Sequence, residues 1–310
     1  MADNKRILRK LLILIVLMFV LDMAIGAVLK HFFFTKKSGF DARANYVINQ
    51  TKADVLIFGS SKAAEHYNPT VLRDSLKLSV YNAGRDLSYI YYHYALLEAV
   101  LKRYTPKLII LDTRPDEFKK FEFGEDRDRL NVLLPYYDSH PEIRDVCLLR
   151  SKFEKYKLLS KMYPYNSLIL QELVEFLPIA RYQKDDSDNG YIAKYGEWKG
   201  PKRPYNVNDE IDTLSASYFK KFVEKCKAKN IKLIVTYSPL YLSINAEKNR
   251  NINYAYQVCK QNNVPVFNYL NDTTYNNPKL FYDNLHLNQG GSIVFCNSMV
   301  GKIREVLKGN

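Results

Sequence analysis

Short apolar runs, each closing on small polar residues and followed by helically spaced sequence, recur through most of this chain. Asp54-Val-Leu-Ile-Phe58 closes on Gly59-Ser60-Ser61, Leu78-Ser-Val-Tyr81 on Asn82-Ala83-Gly84, and Leu108-Ile-Ile-Leu111 on Asp112-Thr113-Arg114-Pro115. Runs at 231–236 and 264–267 continue the series, and helical spacing marks 88–103, 214–229, 245–262 and 288–307. An unbroken apolar run is the mark of a strand buried on both faces, as in a parallel sheet with helical crossovers. The expected fold is a three-layer α/β/α domain, flavodoxin-like, with five mostly parallel strands. Such sheets bind ligands at the carboxyl ends of their strands.

The N-terminus follows a different pattern. Leu11 to Leu29 is nineteen residues broken only by Asp22, and Lys5, Arg6, Arg9 and Lys10 precede it. At ~1.5 Å per residue this length matches the ~30 Å hydrocarbon layer, and the preceding cations favour a cytoplasmic N-terminus. A cleaved signal peptide has a shorter apolar core and a small-x-small site, of which Ala24 to Ala27 is a poor version. The expectation is an uncleaved signal anchor within residues 1–37 and an extracytoplasmic body. Asp22 would cost roughly 2.5 to 3.5 kcal/mol at the centre of the span. It either meets another membrane helix or lies toward the outer edge and reaches water.

Charge narrows the partners. The formal net charge is +13; residues 1–37 hold seven cations against two acids, a net +5, which leaves +8 on the remainder. A basic body suits an anionic envelope surface, and no stacking pattern, helix-turn-helix or zinc spacing points to nucleic acid. With 47% hydrophobic residues the chain is not disordered, and its 4 Cys make no disulfide framework. Residues 38–53 read as a linker or helix, and 54–310 as the α/β domain with an insertion at about 116–212. Within the insertion 141–177 looks helical, while 185–208 is polar, rich in Gly, Pro and Tyr, and carries Trp198, the only tryptophan. Long irregular segments more often border a site than idle.

Three separated pieces carry chemistry. Gly59 lets the chain turn sharply out of the first strand and raises a serine to the sheet edge. Gly84, lacking Cβ, can bring a backbone N–H to the same place. In Asp283-Asn284-Leu285-His286-Leu287-Asn288 the acid precedes the histidine by three residues, so its carboxylate can hold Nδ1–H and leave Nε2 to take a serine proton.

Gly-Ser-Ser after the first strand, Asn-x-Gly after the second and Asp-x-x-His-x-Asn before the last helix resemble the SGNH/GDSL hydrolase superfamily over the body from about Asp54. The resemblance implies Ser61 as nucleophile, Asp283 and His286 as acid and base, and Ser61 and Gly84 as oxyanion donors. Gly59, Ser60, Asn82 and Asn288 stand near the site, and Ser60 replaces the family's usual aspartate. The family's Gly-x-Asn-Asp block is absent, since the third strand ends Asp112-Thr113-Arg114-Pro115, so either Arg114 supplies substitute donors or the hole relies on the N–H groups of Ser61 and Gly84 alone. Together with the anchor, this looks like the branch that modifies cell-envelope polymers. It implies a serine O-acyltransferase or esterase acting on an acylated glycan or teichoic-type polymer, with a membrane-bound O-acyltransferase as partner. A non-catalytic adaptor of the same fold is the alternative. No cofactor or metal is expected.

Other candidates read as structural. His66 and Glu65 follow Ser61 on the same helix, where a base is poorly placed to meet the serine hydroxyl. Cys147, Cys226, Cys259 and Cys296 suit buried thiols, and Tyr89, Tyr91, Tyr92 and Tyr94 suit helix packing more than a carbohydrate platform.

Overall fold

A computed structural model describes residues 2–166, 188–205 and 210–309. The chain divides into two compact units: Met1–Ala42 with Leu130–Lys184, and Arg43–Arg129 with Asp185–Asn310. The expected insertion is thus shared between them. Its middle, from Leu130 to Lys184, groups with the N-terminal helix, and its two ends, up to Arg129 and from Asp185, with the sheet.

The second unit holds five parallel strands, β1 (Val55–Gly59), β2 (Val80–Asn82), β3 (Leu108–Asp112), β4 (Lys232–Tyr237) and β5 (Val266–Asn268). Their spatial order is β2-β1-β3-β4-β5, the flavodoxin-like arrangement. The second strand begins later than its apolar run suggests. The Asp54 carboxylate takes Ser79 N–H at 3.0 Å and Ser79 Oγ–H at 2.6 Å, so Ser79 is held by a side chain before the ladder starts.

Helices cover both faces. Ser61–His66 (α3), Pro69–Leu76 (α4) and Gln289–Lys308 (α8) pack together on one side, and Ile90–Leu101 (α5), Thr213–Ala228 (α6) and Arg250–Gln261 (α7) on the other. Strand alternation divides the side chains. Val55, Ile57, Leu108, Ile110 and Ile234 join Phe295, Met299 and Ile303 in one core, while Phe58 meets Phe222 edge to face at 5.8 Å on the opposite side. Tyr91 and Tyr92 are buried and Tyr94 packs on Tyr218, so the tyrosine-rich helix serves packing. All four cysteines are buried and unpaired.

In the first unit the N-terminal helix α1 (Ala2–Thr35) is long and apolar enough to cross a membrane. A second helix, α2 (Gly39–Asn49), fills most of residues 38–53 and is divided between the two units at Ala42. Residues 141–166 do not form the expected long helix. They break into short turns at 141–143, 144–148, 154–157 and 163–165, and 167–177 lie outside the described residues. Pro164 lacks the N–H a continuing helix needs. The N–H groups of Lys161 and Met162 go to the Asp22 carboxylate at 2.7 and 3.3 Å, and Ser160 Oγ donates to it at 2.5 Å. Asp22 therefore satisfies a turn of its own chain, a role neither sequence expectation included.

Candidate active site

The site assembles at the carboxyl end of β1. Gly59 has φ +148, and a Cβ there would lie 2.7 Å from the Asp112 carbonyl oxygen, so only glycine allows this turn against β3. Ser60 is the cap residue of α3, making no side-chain cap bond, and Ser61 is its first helical residue. At that position the N–H has no acceptor within the helix.

From 225 residues away, His286 brings Nε2 to 2.8 Å from Ser61 Oγ. Its Nδ1 lies 3.0 and 2.9 Å from the two Asp283 oxygens. An ionised carboxylate only accepts, so Nδ1–H donates and Nε2 keeps a lone pair for the serine hydroxyl. Asp283 Oδ1 also accepts the N–H groups of Leu285 and His286 at 2.7 and 2.8 Å, which fixes the turn. Burial pushes the Asp283 carboxyl up, but His286 and these N–H groups outweigh it and hold it below its ordinary value.

The expected oxyanion donors are less free than the sequence suggests. Gly84 is needed for close approach, because a Cβ would lie 2.4 Å from Ala64 N. Yet its N–H donates to Asn82 Oδ1 at 3.0 Å, while Asn82 Nδ2 donates to the carbonyls of Ala63 and Tyr67. Asn82 is a brace between β2 and α3. Arg114 is also engaged: Nε and Nη2 grip Asp116 at 2.9 and 2.8 Å, and the guanidinium lies over the Tyr89 ring. Asn288 caps α8 through Gly291 N–H and donates to the carbonyls of Gly196 and Lys279, so it positions the histidine loop rather than facing the serine.

Residues 189–198 strap across this region. Asn189 O accepts Asn82 N–H, Ile192 N–H donates to Ala64 O, Lys194 O accepts Gln289 N–H, and Trp198 N–H donates to Phe281 O. The polar end of the insertion thus borders α3 and the histidine loop.

No protein-family model matches the chain, and no curated protein matches it in sequence. Solved structures resemble it at low identity. The psychrotrophic esterase EstA from Pseudoalteromonas sp. is 12% identical, with 82% of this chain and 98% of that one covered and a TM-score of 0.42. LAE5, an α/β hydrolase from the Lake Arreo metagenome, is 9% identical, covering 85% and 100%, with a TM-score of 0.42. The acetyl xylan esterase Est2A from Butyrivibrio proteoclasticus is 12% identical, covering 82% and 63%, with a TM-score of 0.38. Likeness at this level says nothing of substrate, and the chemistry rests on the site itself.

Glu65 and His66, read from sequence as structural, have surroundings that the sequence does not show. Glu65 Oε2 lies 3.9 Å from His286 Nδ1, is buried without a hydrogen-bond partner, and its neighbour oxygen sits 3.4 Å from Lys194 Nζ. Burial raises its pKa above the ordinary value, against the pull of His286 and Lys194. Behind the site, His66 Nε2 accepts Leu287 N–H at 3.0 Å, which leaves Nδ1–H to donate to Ser238 Oγ at 3.0 Å. Ser238 Oγ–H donates to Asp112 Oδ2 at 3.0 Å, and Lys62 Nζ lies 3.6 Å from the same oxygen. The sequence places His66 one helical turn past Ser61 and Asp112 at the end of β3, but nothing in it links either residue to Ser238.

Proposed function

We propose that the chain is a membrane-anchored serine esterase or O-acyltransferase of the SGNH type, working on an acylated cell-envelope glycan or teichoic-type polymer. The observation that carries this reading is the Ser61 Oγ to His286 Nε2 contact of 2.8 Å with both Asp283 oxygens on Nδ1. Ser61 Oγ attacks the acyl carbonyl carbon as its proton passes to His286 Nε2. The tetrahedral oxyanion lies at the N-terminus of α3, within reach of Ser61 N–H; Gly84 N–H joins by sharing or leaving Asn82 Oδ1. Collapse expels the alcohol, which takes the proton from His286, and leaves an acyl-serine. A water or a polymer hydroxyl then gives its proton to His286 and attacks the acyl carbon, and His286 returns the proton to Ser61 Oγ as the acyl bond breaks.

The anchor supports an envelope substrate. Phe33 near the end of α1 is buried and packs edge to face on Tyr136 and Tyr165, and Asp22 holds residues 160–162. Cleavage at Ala24 to Ala27 would strip Asp22 from that turn, so the packing favours a retained helix. A retained helix preceded by cations supports reading the body as extracytoplasmic, where its +8 suits an anionic polymer.

The adaptor alternative draws on the engaged Gly84 and Arg114, which leave the oxyanion site short of free donors; losing one such donor costs about 2.7 to 4 kcal/mol in serine hydrolases. A fluorophosphonate probe on the full chain decides between them. Labelling that disappears in Ser61→Ala supports catalysis. An unlabelled chain whose Ser61→Ala variant keeps full cellular function supports the adaptor.

A further inference from the structure

We propose that residues 152–159 form a second membrane-seated element, a basic and aromatic turn that rests in the interface of an anionic bilayer beside α1. The inference rests on the anchor reading above and adds where the chain meets lipid.

The level follows from helix geometry. Twelve residues separate Lys10 from Asp22, a rise of about 18 Å. Counted from Ile7 the rise is still only about 22 Å, short of the ~30 Å hydrocarbon layer. Apolar surface must therefore continue past Asp22, and a span begun at Lys10 ends roughly level with Lys30. Met23, Ile25 and Val28 are exposed on α1 over that stretch, as an acyl-chain-facing surface requires. Yet Asp22 is hydrogen bonded to Ser160, Lys161 and Met162, which fixes this turn beside α1 inside the outer edge of the layer. Three donors satisfy Asp22 there, as an acid at that depth demands.

The adjoining residues have the composition that such a position calls for. Phe153, Tyr156 and Leu159 are 55%, 69% and 74% exposed, at three-residue intervals across the turn that contains the short helix at 154–157. Lys152, Lys155 and Lys157 are exposed between them. The one acid in this turn, Glu154, is buried and held by Arg150 Nη1 at 2.8 Å, Tyr163 Oη at 2.7 Å and Lys157 Nζ at 3.4 Å. Within 152–159 the exposed groups are therefore large apolar side chains and cations, and Asp138, an exposed acid close by, is paired with Lys161 at 2.7 Å. That pattern lowers apolar side chains into the headgroup boundary and sets ammonium groups against lipid phosphates.

The four native cysteines are buried, so Tyr156→Cys supplies a single accessible thiol for an environment-sensitive nitrobenzoxadiazole label. The full labelled chain is reconstituted into phosphatidylcholine vesicles with and without phosphatidylglycerol, then floated and probed with aqueous dithionite and with lipid-borne quenchers. The expected result is flotation, blue-shifted emission, quenching from the lipid side and protection from dithionite, all stronger with phosphatidylglycerol. Lys152→Gln with Lys155→Gln should lower the seated-to-free ratio by roughly an order of magnitude in anionic vesicles. Flotation with a fully dithionite-accessible label overturns the proposal while the anchor stands, and equal protection in both vesicle types overturns its anionic preference. A chain that does not float overturns the anchor and the proposal together.

Discussion

Two serine–histidine–aspartate chains stand back to back in the sheet-bearing unit, their imidazoles 6.3 Å apart between ring centres. In the outer one, Ser61, His286 and Asp283 are partly exposed, and Ser61 Oγ–H faces the lone pair of His286 Nε2 while Nδ1–H is held by Asp283. In the inner one, Ser238, His66 and Asp112 are buried, and both ring nitrogens of His66 are spent, one on Ser238 and one on Leu287 N–H. Burial also pushes the His66 pKa well below its ordinary value, so the ring stays neutral. Identical residue types thus take opposite roles. The outer set has a lone pair and is reached by solvent, whereas the inner set is a strut that grips the residue after His286.

The largest effect that could break this contrast is at the serines. Ser61→Ala should lower ester hydrolysis or probe labelling by about four orders of magnitude, while Ser238→Ala should leave most of it. Comparable losses in the two variants would mean that the inner chain takes part in the chemistry. At the next level, Lys62→Met leaves the buried Asp112 charge without its cation and should cost about 3 to 5 kcal/mol in denaturant unfolding of the body. His66→Ala frees Leu287 N–H and Ser238 together, a cost of about 2 to 4 kcal/mol, with a smaller fall in kcat than His286→Ala.

The smallest and sharpest test uses pH on the two carboxylates around His286. Asp283 is held low, so its stabilising effect is complete above the ordinary carboxylate range and is lost as pH falls through its lowered value. Glu65 is held high, so stability declines as pH rises from the ordinary glutamate value through the raised one. Thermal melts across pH should show Glu65→Gln flattening that decline and Asp283→Asn removing the acid-side loss. Matching profiles in the two variants would show that the carboxylates do not differ as their surroundings imply.

Much of the frame was legible because it is local. A run such as Val55 to Phe58 has no alternation and can only be buried on both faces, and Gly59 marks a turn that no other residue makes. The short turns between 141 and 166 were not legible, since their backbone groups are satisfied by side chains as distant as Asp22. Gly84 shows the limit most clearly: the need for glycine could be read, but the capture of its N–H by Asn82 could not.

The sequence by itself determined which segments are strands, which segment can cross a membrane, and the order of Ser61, Asp283 and His286 along the chain. These follow from periodicity, apolar length and local spacing. Tertiary structure alone decided that His286 meets Ser61, that His66 faces inward with both nitrogens committed, that Glu65 is buried beside the base, and that Asp22 binds its own chain. Each of these depends on which distant groups share a small volume, and on whether water can reach them.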